Sequence, residues 1–444
     1  MIRNADAVTA NEGWKRGWPY KIYRTRAVAF KLLIIAALAA PPVYFYSIIY
    51  KYAVNVPYWD DYSAILDFLI RYQDADGALQ RVLLLFAQNN EHRIAFGNLA
   101  TVAMYKLTGM VDFRAMVFFG NAALLGLVLV FYRMFRPAEW KPLYFMPVVL
   151  FLFQPQFCDN MLWAMASVSN FYVLPFSFAS LLLLQRGGRL FFAAAFLLAA
   201  LSSVTQGSGI FSFAACALLL ALKRDFRGLA VWCALSFAVL ASYFWSYERP
   251  AHHPSVMKTV LEVPDIALEY FVTFTGASFP FPFFAGLIII FLFVFLTFKG
   301  YYRKNPAVYC GLVLVFLTAA VAAVTRSGFG VEQALSSRYR IFSALFPILL
   351  YMAFFEHLQG RRILAKVFFP AVLAGSLMFN INANIIGLGK IQTINALFRN
   401  SITLWTMGAD TLLCQDKERA HHILTESIER GLYNPFLLET RAPR

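Results

Sequence analysis

Two carboxylates stand side by side at Asp60 and Asp61, between Trp59 and Tyr62, directly after the first long apolar run. A carboxylate at a membrane helix end can accept a proton from an attacking hydroxyl; a solvated anchor would look the same. Further on, Glu91-His92-Arg93 opens a helical stretch. Helix-start amides with an arginine suit a phosphate, and so would an ordinary polar helix start. Arg326, Arg338 and Arg340 form a third group. Their forked donors suit phosphate or pyrophosphate, although an interfacial arginine that snorkels to headgroups has the same signature. If that stretch is helical, Arg338 and Arg340 point to different faces.

Other clusters carry less. His252 and His253 lack a third ligand and HxxxH spacing, which reads as an exposed loop. The turn Ser203–Gly209 has glycines that allow close helix approach or backbone access to a ligand, or simply a helical hairpin. The five cysteines are dispersed with no CxxC, so they read as packing residues rather than a metal or redox site. No GxSxG elbow, Walker loop or GxGxxG unit is present.

The elements that must position these groups are membrane helices. The chain is 60% hydrophobic and 14% charged, against roughly 25% charged in soluble proteins. Apolar runs recur along most of its 444 residues, which implies an all-α polytopic protein. No sustained alternation suggests a barrel. The net charge of +15 sits in short loops, where it orients spans. No folded basic domain exists to bind nucleic acid. A basic region from Arg3 to Arg26 precedes a segment long enough to span, so it reads as a cytoplasmic tail before a retained first helix.

Spans are expected at 27–50, 113–135, 142–156, 166–184, 190–205, 208–222, 229–247, 280–298, 306–325, 340–356 and 363–380, about eleven in all. Residues 51–111 form a first outer loop with amphipathic surface helices at Ser63–Tyr72, Ala78–Asn89 and Arg93–Leu107. Keeping 94–107 on the surface places the later basic loops on one side, the cytoplasmic one. A further surface helix is expected at Pro264–Thr275. Residues 1–381 then form the membrane domain, and 382–444 a small outer C-terminal appendage.

Trp59-Asp60-Asp61-Tyr62 after a first span, followed by surface helices, resembles the GT-C class of membrane glycosyltransferases. It is most similar to the branch of protein O-mannosyltransferases and bacterial lipid A aminoarabinose transferases. That branch carries Asp-Glu with an aromatic nearby, then a His-Pro-Pro-Leu-type segment and a short helix ending near Phe-Gly. Here the counterparts are Asp60-Asp61, Glu91-His92-Arg93-Ile94 and Tyr105–Gly109, with Asp in place of Glu and no double proline. The likeness covers roughly 27–135 and is only topological beyond.

The basic loops and about eleven spans put the N-terminus in the cytoplasm and the C-terminus outside, and the resemblance implies an enzyme of the bacterial inner membrane. A polyprenyl-phosphate-sugar would be the donor and a glycan, lipid or protein the acceptor. Asp60 maps to the catalytic base. Asp61 would orient the acceptor, or a divalent metal in those members that use one. Tyr62, Glu91, His92, Arg93, Arg326, Arg338 and Arg340 are the expected substrate contacts. Apolar grooves between helices would take the lipid tail. A transporter or lipid flippase is the first competing reading, but acids are nearly absent from span centres. A polysaccharide polymerase or ligase would use the Arg326–Arg340 loop. A non-enzymatic partner in envelope-polymer assembly is the third.

Overall fold

The computed structural model describes residues 13–137, 140–249 and 261–435, with side chains from Val28 onward except that of Arg362. His252 and His253 lie outside the described residues. The chain is almost wholly helical, as expected. Seven helices among the described residues are long and apolar enough to cross a membrane, and Arg189–Ser203, Gly207–Leu222 and Pro282–Phe298 are shorter apolar helices.

Helix α1 (Gly13–Tyr52) leads into the acidic motif. The first loop then holds a π-helical turn (Tyr62–Asp67), α2 (Phe68–Asp74), α3 (Ala78–Leu85), a two-residue hairpin of β1 (Gln88–Asn89) and β2 (His92–Arg93), and α4 (Ala95–Thr108). All three expected loop helices have counterparts, but the one expected over Ala78–Asn89 stops at Leu85 and gives way to β1, and the one expected over Ser63–Tyr72 begins as the π-helical turn. Helix α5 (Phe113–Met134) crosses next, its N-terminus capped by Asp112 through Ala115 N–H.

The expected span 142–156 is not one helix. It breaks into α6 (Lys141–Tyr144) and α7 (Met146–Leu152), then a 3-10 turn at Pro155–Phe157 and α8 (Cys158–Leu162). Pro142, Pro147 and Pro155 each remove a backbone donor, which hydropathy does not register. Freed carbonyls must still be satisfied. Asn380 Nδ2 donates to Leu150 O at 2.8 Å and to Phe153 O at 2.9 Å.

The bundle continues through α9 (Ala164–Arg186), α10 (Arg189–Ser203), α11 (Phe211–Leu222), α12 (Phe226–Phe244), α13 (Pro264–Gly276), α14 (Pro282–Phe298), α15 (Tyr301–Lys304), α16 (Pro306–Arg326) and α17 (Arg340–Leu358). The expected surface helix at 264–275 is α13, but its second half is buried. Small residues let these helices approach closely. Gly120 of α5 lies so near α9 that a Cβ there would sit 2.6 Å from the Ser167 carbonyl carbon. Ser177, Ser202 and Ser212 interlock through their hydroxyls between α9, α10 and α11.

The expected boundary at 381/382 falls inside a single helix, α18 (Arg362–Thr406), 45 residues long. At 1.5 Å per residue that is roughly 67 Å, about twice the hydrocarbon core. Its carboxamides find partners on distant elements, as when Asn395 Nδ2 donates to Tyr52 O at 2.6 Å. The chain ends with α19 (Lys417–Glu429). This region is no separate appendage. Tyr433 OH donates to Asn55 O at 2.7 Å, and Val111 N–H to Leu432 O at 2.8 Å.

The two ends of α5 differ. Its start lies beside the acidic motif, where Phe113 N–H donates to Asn55 Oδ1 at 2.8 Å. Its far end joins a buried carboxylate, Glu356. That group accepts Arg136 N–H and Tyr301 OH, each at 2.8 Å, and Asn305 Nδ2 at 3.1 Å. The end of α17 is thereby tied to the end of α5 and to the starts of α15 and α16.

Candidate functional site

The acidic motif forms a tight turn. Trp59 adopts a left-handed φ of 47°, and its N–H donates to Leu413 O at 2.8 Å. The two neighbouring carboxylates end in different surroundings. Asp61 is buried and accepts Tyr58 N–H at 3.0 Å and Met165 N–H at 2.9 Å. It therefore caps the start of α9 from another part of the chain. Burial pushes its pKa up to about 8, against the pull of the two backbone donors. Tyr62 is also buried, packed in the core behind the motif. Asp60 is half-buried and receives Asn90 Nδ2 at 3.4 Å.

Asp60 lines a cavity of about 560 Å³, in the usual range for a small-molecule site of roughly 300–1,000 Å³. Glu91, His92, Arg326 and Arg338 line it as well. The β1–β2 hairpin brings Glu91 and His92 there. Arg326 arrives at the end of α16, and Arg338 from the 3-10 turn Ser337–Tyr339. Arg326 forms an ion pair with Glu91. Arg338 lies 5.1 Å over the Tyr339 ring, and its buried Nε has no hydrogen-bond partner among the described residues.

His92 is mostly covered and sits against Gly207, where a Cβ would fall 2.5 Å from its Nδ1. The glycines of the Ser203–Gly209 turn therefore serve close approach, and Gln206, Gly207 and Ser208 become cavity wall. Burial lowers the His92 pKa to about 4, so the imidazole is neutral at pH 7; Asp60 nearby opposes the shift.

Below this polar rim the wall turns apolar. Thr318, Val321, Ala322 and Thr325 line the cavity from one face of α16. Between Thr318 and Arg326 the helix rises roughly 12 Å. Phe211, Phe274 and Phe342 face the same space from other helices.

Four expected contacts lie elsewhere: Asp61, Tyr62, Arg93 and Arg340 do not line this cavity. Arg93 donates to Phe86 O at 2.6 Å, Tyr243 O at 2.7 Å and Trp245 O at 2.6 Å, so its fork is filled by backbone. It holds the hairpin against the end of α12. Arg340 Nε donates to Leu335 O at 3.2 Å.

Several polar residues at the site escaped the sequence reading. Asn170 on α9 lines the cavity and donates to Asn160 Oδ1 at 3.0 Å; Asn160 in turn donates to Arg338 O at 2.8 Å. A polar side chain inside an apolar run was the available signal. Asp159 lies next to this network. Burial raises its pKa, while Arg338 and Lys390 pull it down. Among the described residues no group of three His, Cys, Asp or Glu is placed to hold a metal ion.

No protein-family model, curated protein or solved structure matches this chain.

Proposed function

We propose that this chain transfers a sugar from a polyprenyl-phosphate carrier to a hydroxyl acceptor at the end of the bundle that holds Asp60. One observation carries the reading. A single cavity combines a carboxylate, an arginine that forms no ion pair among the described residues although Asp159 lies near it, and an apolar wall along α16. That combination suits a reacting hydroxyl, an anionic headgroup and a lipid chain together.

In this mechanism Asp60 accepts the acceptor hydroxyl proton as its oxygen bonds to the anomeric carbon. The bond from that carbon to the phosphate oxygen breaks on the opposite side. The phosphate leaves on its lipid with the bonding electron pair, and Arg338 opposes the new charge. The displacement inverts the anomeric carbon. Glu91 with Arg326 shapes the rim, and neutral His92 serves as a hydrogen-bonding group rather than a charge.

The basic loops favour a cytoplasmic N-terminus, which would put the cavity on the periplasmic side of a bacterial inner membrane. The test is transfer from polyprenyl-phosphate-sugars in reconstituted vesicles. Asp60→Asn is expected to lose transfer while keeping expression and thermal stability. Transfer at the wild-type rate would refute the assignment. Movement of intact lipid-linked sugar across the bilayer, with no new glycosidic bond, would favour a flippase instead.

A further inference from the structure

We propose that the transferred sugar is uncharged, recognised through its hydroxyls by the carboxamides of Asn170 and Gln206. The inference rests on the glycosyl-transfer reading and deepens it.

The cavity's charged groups are already engaged. Glu91 is paired with Arg326, and Arg249, which also lines the space, is not without a partner. Asp60 is assigned to the acceptor proton and Arg338 to the phosphate. Among the described residues no further charged side chain lines the cavity to face a sugar ring. An ammonium or carboxylate on that ring would be desolvated without a counter-charge, which is costly.

The carboxamides, by contrast, keep open valences. Asn170 spends one donor on Asn160 at 3.0 Å, which leaves its carbonyl oxygen. Gln206 accepts Ser208 N–H at 2.7 Å through Oε1, which leaves its NH₂. One acceptor and one donor pair on the same cavity match hydroxyls, which both donate and accept. Tyr243 and Tyr247 supply flat aromatic surface on the same cavity.

The experiment measures binding to the full chain in nanodiscs of three short-chain isoprenyl phosphodiesters. One carries a neutral hexose, one an amino sugar and one a uronic acid. Sugar-free isoprenyl phosphate is the fourth ligand. The neutral donor is expected to bind roughly tenfold or more tighter than either charged one, because sites built for hydroxyls reject mismatched groups strongly. Gln206→Leu should reduce that preference. Asn170→Asp, which adds a charge at nearly constant shape, should move it toward the amino sugar. A charged donor that binds as well as the neutral one overturns this inference and leaves the glycosyl-transfer proposal standing. Failure of all four ligands to bind removes both.

Discussion

The carboxylate of Asp61 accepts the backbone N–H of Met165 at 2.9 Å, across 104 residues of sequence. This bond couples the acidic motif to the first turn of α9, the helix that also presents Asn170 to the cavity. The same carboxylate accepts Tyr58 N–H, so one side chain sets both the turn that aims Asp60 and the wall it faces. Asp61 is thus a positioning residue. Asp61→Asn replaces one acceptor oxygen with an amide that donates, which leaves one of the two N–H groups facing another donor. A cost of about 1–3 kcal/mol is expected. Thermal unfolding in detergent measures it, and an unchanged midpoint would contradict this role.

The pH dependence follows from two groups with opposite shifts. Asp61 has its pKa raised from 3.8 to about 8, so in that window the folded state holds a proton that the unfolded chain has released. Stability then falls as pH rises through the window. His92 has its pKa lowered from 6.5 to about 4, so there the unfolded chain binds the extra proton and stability falls as pH drops. Below pH 6.5 the two slopes oppose each other; above it only Asp61 of the two still titrates, and Asp159, whose pKa burial also raises, acts in the same direction as Asp61. Unfolding midpoints should vary little between pH 4 and 6.5 and decline toward pH 8. In His92→Gln the decline should begin near pH 4. A wild-type midpoint that climbs between pH 6.5 and 8 would reverse the Asp61 assignment.

Arg93 ties the β1–β2 hairpin to Phe86 and to the end of α12 through three backbone carbonyls and a contact with Tyr243. Two of its three carbonyl acceptors, Tyr243 and Trp245, lie at the C-terminal end of α12, where helix carbonyls lack intrahelical partners. Gln88 adds a second link, since Glu248 N–H donates to its Oε1 at 3.1 Å. Arg93→Lys keeps the charge but not the fork. Faster amide hydrogen exchange in the loop after Phe244 is expected for both Arg93→Lys and Arg93→Ala. If Lys restored wild-type protection, charge rather than geometry would be holding the wall.

The membrane architecture was legible because apolar runs long enough to span leave few other folds open. The first-loop helices were legible too, from their spacing. The division of labour between Asp60 and Asp61 was not. The two are chemically identical neighbours, and what separates them is a contact with Met165 far along the chain. Arg93 shows the same limit: as a residue type it suits a phosphate, yet three backbone carbonyls occupy it. Polarity after Asn382 suggested that the last span had ended, but Gln392 and Asn395 bond to Tyr52 at the end of α1, Asn384 bonds back to Asn380, and α18 runs through. Proline, rather than hydropathy, decided the fate of 142–156.

The C-terminal segment supports a prediction about which contacts hold the motif in place. Arg430 makes a two-pronged ion pair with Asp74 at 2.6 and 3.0 Å, the closest charged contact between this segment and the first loop. Tyr433 makes one neutral hydrogen bond to Asn55 O at 2.7 Å, but that bond is buried. Exposed ion pairs gain little because water and salt screen them. Removing a buried donor strands its acceptor, at about 1–3 kcal/mol. Asn55 also receives Phe113 N–H, so a shift there reaches both the motif and the start of α5. Tyr433→Phe is therefore expected to lower the unfolding midpoint more than Arg430→Ala. The Arg430→Ala deficit should shrink further as salt is raised from about 0.01 to 1 M, where the screening length falls from roughly 30 to 3 Å. The opposite ranking would mean that the segment is held by surface charge, and the acidic motif would then loosen at high salt.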